Sequence, residues 1–181
     1  MKTKIALPIL FLWLFFLAVN GYAAPQSAIQ YAPIVNLDNQ QVAGLAELTR
    51  TNRGVSVRLR GVNFIAPHNA YTGWIDINNI AGDDSQRILL RIAGDVSGDG
   101  NELTLTGNLS ADLVPQANGT SVLFNNGNGV FNDPMRAKID FFVRNHGEII
   151  PEQLVKQVTE FEGGCEVNDC ATFLFVSFDA P

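Results

Sequence analysis

Three groups of residues have types and spacings that could support chemistry. Asp95-Val96-Ser97-Gly98-Asp99-Gly100-Asn101 opens like a calcium loop, with oxygen ligands at positions 1, 3 and 5 and a turn glycine at 6. The pattern then fails: Leu103 holds position 9, and Thr106 stands where a bidentate acid should close the shell. A Gly/Asp hairpin turn accounts for this stretch better. His68 and His146, the two histidines of the chain, would form a metal pair if the fold joined them, with Asp76 or Asp140 as neighbouring carboxylates. Zinc and copper sites take three or four N, S or O ligands, so two imidazoles alone favour structural roles. Nucleophilic catalysis lacks a Gly-x-Ser-x-Gly elbow, and no catalytic residue is assigned.

Cys165 and Cys170 are the only cysteines, in Cys-Glu-Val-Asn-Asp-Cys. Zinc would need a second Cys or His pair nearby. Outside the cytoplasm such a pair reads as a disulfide, which stabilises a loop this short by about 2 kcal/mol on the chain-entropy model.

Export is expected from the N-terminus. Lys2 and Lys4 precede an apolar stretch over residues 5–19, and small residues follow at Gly21, Ala23 and Ala24. Cleavage after Ala23 places Gly21 and Ala23 at the two positions that must be small, whereas cleavage after Ala24 would place Tyr22 at one of them. An uncleaved anchor is the rival, because about fifteen apolar residues approach spanning length. The reading adopted is a signal peptide over 1–23, an N-terminal extension or first strand over 24–40, and one β-sandwich domain over 41–181. The mature protein is then secreted or periplasmic and does not span a membrane.

Loss of Lys2 and Lys4 moves the formal net charge from −6 to −8. An acidic chain without a basic cluster makes a poor nucleic-acid binder, since phosphate contacts need concentrated Lys and Arg.

Alternation dominates the remainder. Residues 54–62 place Val55, Val57, Leu59 and Gly61 on one face, as a half-buried strand requires. Comparable patterns occupy 43–49, 71–78, 87–93, 102–109, 121–124, 138–144 and 171–178, with Gly/Asn/Asp turns between several of them. About eight antiparallel strands in an all-β sandwich are expected. Residues 151–161 change period: Leu154, Val155, Val158 and Phe161 fall on one helical face, Pro151 suits the first turn, and Gly163-Gly164 can end the helix. This short helix leads into the cysteine turn.

Three stretches together resemble a group of uncharacterised secreted bacterial proteins, distantly similar to the CHRD domain. They are Pro67-His68-Asn69-Ala70-Tyr71-Thr72-Gly73-Trp74 with Asn78-Asn79, then Phe141-Phe142-Val143-Arg144-Asn145-His146-Gly147, and Gln157-Val158-Thr159-Glu160-Phe161-Glu162-Gly163-Gly164-Cys165. The resemblance runs from about residue 40 to the C-terminus and implies a secreted β-sandwich with no activity attached. Members of the group often carry another cysteine pair after the Asn-Asn position, where this chain has Ile80-Ala81-Gly82-Asp83-Asp84. The His-rich motif of CHRD domains is also missing.

The expected function is therefore a non-catalytic exported domain, binding or structural in role, with a protein, glycan or surface as partner and no cofactor. The competing expectation is a metal-binding or metal-dependent protein using His68 and His146.

Overall fold

The computed structural model describes residues 27–61, 63–78, 87–100, 102–113, 121–125, 130–131 and 133–181. Ala23, Ala24 and the rest of the expected signal peptide lie outside these, as does the Ile80–Asp84 loop. Nine strands form: β1 (Ser27–Asn36), β2 (Val42–Thr51), β3 (Gly54–Gly61), β4 (Asn69–Asn78), β5 (Arg87–Val96), β6 (Leu103–Ser110), β7 (Val122–Asn125), β8 (Lys138–Glu148) and β9 (Ala171–Phe178). A 3₁₀ turn at Pro151–Gln153 runs into the single short helix α1 (Leu154–Thr159). No described helix is long and apolar enough to cross a membrane.

All pairings are antiparallel, in the order β6-β3-β2-β1-β9-β8-β4-β5-β7. The all-β architecture matches the expectation from alternation, with β1 as a ninth strand inserted between β2 and β9. One continuous sheet supplies both faces of the sandwich by curling on itself. Its inward side chains, from Ile34 of β1 to Val176 of β9, join a single hydrophobic cluster to which every strand contributes. Burial of that shared face is the main favourable term holding the curl.

The Asp95–Asn101 stretch does not close a hairpin. β5 pairs with β4 and β7, and β6 pairs with β3, so this stretch carries the chain from one half of the sheet to the other. Periodicity identifies both strands but carries no record of which neighbour each one takes.

Two strands depart informatively from alternation. In β2 the inward series Ala46, Leu48 continues to Arg50, which is fully buried. Its guanidinium donates to the carbonyls of Pro134 (2.8 Å), Ala137 (2.7 Å), Phe178 (3.2 Å) and Asp179 (3.1 Å), and to Gln30 Oε1 (2.7 Å). One cation thus ties β2 to β1, to the entry of β8 and to the end of β9. Burial lowers its pKa from the ordinary value while Asp179 opposes the shift, and the five bonds offset the desolvation that an unpaired cation would suffer.

β4 is buried on both sides. Tyr71, Ile75 and Ile77 join the core, while Trp74, equally buried, lies outside that cluster. It meets Phe161 edge-on at 5.1 Å between ring centroids. Adjacent strand residues must point to opposite faces, so Trp74 and Ile75 cannot share one interior. The segment after β8 supplies the second one by covering the outer face of β4 and β8.

Replacing Arg50 by Leu keeps the volume but leaves four carbonyls without their donor. Urea unfolding of R50L is expected to show a loss of about 3–5 kcal/mol, with Arg50→Lys falling between it and wild type.

Candidate functional site

The covering segment contains the only cysteines and touches one of the two histidines. His146 lies in β8 on the same face as Phe142 and Arg144, and it is fully buried. Its Nε2 is 2.8 Å from Thr72 Oγ1, and its Nδ1 is 2.9 Å from the carbonyl oxygen of Gly163. Trp74 Nε1 donates to the same Thr72 hydroxyl at 2.8 Å.

The chemistry of these groups sets every proton. A carbonyl only accepts, so Nδ1 carries the hydrogen. In the neutral ring Nε2 is then an acceptor. The Thr72 hydroxyl therefore donates to Nε2 while accepting from the Trp74 indole, which can only donate. The chain reads Trp74 to Thr72 to His146 to Gly163, with each link satisfied.

Local geometry explains why the covering segment fits. Gly163 packs so closely that a Cβ there would lie 2.1 Å from the Lys156 carbonyl oxygen. Any side chain would push the 163 carbonyl away from His146. Gly147 adopts φ +76°, a left-handed value that favours glycine, and an added Cβ would meet Asn168 at 2.7 Å. Beyond the Asn145–Ala171 pair that ends the β8–β9 ladder, side-chain amides take over. Asn168 Nδ2 donates to the carbonyls of His146 (2.8 Å) and Glu148 (2.9 Å), and Gln157 Nε2 donates to Glu148 (2.9 Å). Gln157 Oε1 accepts from the Ile150 amide at 2.9 Å.

The helix therefore differs from its expected apolar face. Gln157 is its buried residue, and Val155 is 74% exposed. Amide bonding to a frayed strand end selects the face, a demand that hydrophobic spacing does not encode.

Cys165 and Cys170 are joined in a disulfide with Cα atoms 5.3 Å apart. Both sulfurs sit against the imidazole, at 3.9 and 3.8 Å from Nδ1. Arg144 approaches from the side, with Nη2 3.9 Å from Cys165 Sγ and 2.9 Å from Glu162 Oε2, and with its guanidinium 4.2 Å from the Phe161 ring centroid.

Desolvation pushes the His146 pKa down to about 4; Arg144 adds to the fall, and the Gly163 bond and Glu162 oppose it. The ring is thus neutral at neutral pH.

His68 occupies a different setting. It precedes β4 with φ +55°, and its side chain is 66% exposed, pairing with Asp99 at 3.1 Å. Such a pair contributes little in open solvent. Among the described residues, the one group of three or more ligand atoms within 4.8 Å of one another is His146, Cys165 and Cys170. His68, Asp76 and Asp140 are not in it. Asp76 is held by Arg87, and Asp140 accepts from Ser177 and faces Lys138.

The calcium-like loop is spent on structure. Ser97 is buried, donating to the Ala66 carbonyl at 2.6 Å and accepting from the Asn69 amide. Asp95 accepts from the Val96 amide, and Asp99 faces His68.

Sequence reasoning singled out His146 and both cysteines without joining them, and it missed Thr72, Gln157 and the buried role of Gly163. All three fall within residues 67–74 and 157–165.

Two outcomes follow from this arrangement. Unfolded His146 has an ordinary pKa near 6.5 and takes up a proton before the folded ring does. The unfolded state therefore binds more protons between about pH 6.5 and pH 4, and stability is lost as pH falls through that window. Wild type should lose about 3 kcal/mol there in excess of His146→Gln, as read by urea unfolding at several pH values. Separately, iodoacetamide should leave the mass of the denatured, unreduced protein unchanged and add two alkyl groups after reduction.

No protein-family model, curated protein or solved structure matches this chain.

Proposed function

We propose that this protein is an exported, non-catalytic binding domain whose contact surface is the outer face of β1, β2, β3 and β6. The observation that carries the reading is the make-up of that face. Directly opposite residues in antiparallel strands share a side, so the register defines its rows. Tyr31, Glu47, Arg58 and Thr106 form one row, and Pro33, Leu45, Arg60 and Thr104 form the next. Tyr31 is 62% exposed and Leu45 54% exposed. They share a shallow groove with Glu47, Arg58 and Arg60.

A half-exposed tyrosine and leucine framed by alternating charges is the composition of a recognition surface. Aromatic residues and Arg are enriched in interfaces and supply much of their energy. Unlike the outer side of β4, this face carries no covering segment from the described chain. A rigid sheet is a suitable platform, because its side chains are held in fixed rows before a partner arrives. The signal-like N-terminus and the disulfide support action outside the cytoplasm, where the partner is a protein or glycan of the cell surface.

The test is co-sedimentation of the mature protein with isolated bacterial envelopes. Wild type is expected in the pellet, and the Tyr31→Ala/Leu45→Ala double variant is expected to bind about tenfold or more weakly at unchanged melting temperature. Equal sedimentation of the two proteins would remove the assigned face, and failure of wild type to sediment would remove the surface-binding role.

A further inference from the structure

We propose that the dithiol form of the 165–170 loop, together with His146, is a binding site for monovalent copper, held shut in the oxidised protein by the disulfide. The inference is independent of the outer sheet face and rests on the geometry around His146. A metal bonded to imidazole nitrogen at about 2.0 Å and to thiolate at about 2.3 Å, in a three-coordinate plane, has N···S edges of about 3.8 Å. The two Nδ1···Sγ separations are already 3.9 and 3.8 Å. Within the donor triangle the sulfur–sulfur edge must change, from the about 2.05 Å of a disulfide to about 4 Å between thiolates on one metal, and the Gly163 carbonyl, 2.9 Å from Nδ1, must turn aside. With Cα atoms 5.3 Å apart, the sulfur movement requires side-chain rotation within the loop rather than separation of its ends.

The ligand set selects the ion. Three donors lie within 4.8 Å of one another, whereas structural zinc closes its shell with four. Two soft thiolates and one imidazole suit Cu(I). The complex of Cu(I) with two thiolates carries one net negative charge, and Arg144 stands beside it, 3.9 Å from Cys165 Sγ. Both cysteines are half-buried, so a reductant can approach while His146 remains enclosed.

The steps balance with an external dithiol as reductant. Thiol–disulfide exchange breaks the Cys165–Cys170 bond, giving two protein thiols and converting the external dithiol to its own disulfide. Cu(I) then displaces one proton from each thiol. On His146 the proton passes from Nδ1 to Nε2, which frees the Nδ1 lone pair toward the sulfurs. The Gly163 hydrogen bond is given up, and Thr72 Oγ1 accepts from Nε2 with its second lone pair while retaining the Trp74 bond.

The experiment is anaerobic titration of the full-length mature protein, reduced with dithiothreitol and desalted, with Cu(I) in competition with bicinchoninate. One equivalent is expected for the reduced protein and none for the oxidised protein. His146→Gln should weaken binding by about tenfold or more, with His68→Ala unchanged. X-ray absorption on copper-loaded wild type gives a readout that does not depend on how the variant folds: two sulfur neighbours and one imidazole nitrogen are expected. The proposal is overturned if reduced protein with two titratable thiols takes up no copper, if the absorption spectrum lacks the nitrogen shell, or if Zn(II) displaces Cu(I) at equal concentration.

Discussion

A buried imidazole must have both ring nitrogens satisfied, and in this protein that requirement organises the layer outside the curled sheet. Left open to water, the outer side of β4 and β8 would expose Trp74 and Phe142 and hydrate His146. Docking of residues 151–170 replaces that water with one carbonyl, Gly163, aimed at Nδ1. The inner side of the ring is closed by Thr72, whose hydroxyl is oriented in turn by the Trp74 indole. Because a buried polar atom without a partner costs about 1–3 kcal/mol, the covering segment and the sheet face stabilise one another cooperatively. The disulfide then holds the 163 carbonyl's neighbourhood at the distance the ring needs.

Arg50 plays the corresponding part at the end of the sheet where β1, β2, β8 and β9 meet. Both groups are polar residues in interior positions bonded to segments distant in sequence, Arg50 to four backbone carbonyls and His146 to the Gly163 carbonyl and the Thr72 hydroxyl. Apolar burial curls the sheet without specifying where its ends finish. Directional bonds from one guanidinium and one imidazole supply that specification, since each is satisfied only when several segments arrive together.

Alternation made most of this fold legible. The positions of β2 to β9, the short helix before the cysteines and the disulfide were readable, because each depends on local spacing or on a pair five residues apart, whereas 24–40 reads as an extension or first strand. What was not readable depends on partners remote in sequence. The Asp95–Asn101 turn looks like a hairpin locally, yet it crosses between sheet halves because β6 finds β3. Trp74 beside Ile75 is ambiguous until a second interior exists to receive it. Gln157 is buried through amide bonds to a strand end, while hydrophobic spacing pointed to Val155. His68 and His146 sit at the entry of β4 and within β8, which are neighbouring strands, but one ring faces solvent and the other faces the disulfide. The register sets His68 beside Ile149, three residues past His146, and the backbone at His68 is left-handed.

The central claim is that His146 is a neutral, Nδ1-protonated imidazole locked between Thr72 and Gly163. Its most direct test is a long-range proton–nitrogen correlation spectrum of ¹⁵N-labelled oxidised protein, recorded from pH 7.5 to pH 5. The account predicts a protonated Nδ1, an unprotonated Nε2 and no change across that range, since the folded pKa lies at about 4. A ring protonated at Nε2, or one that titrates near its ordinary value of about 6.5, would contradict it.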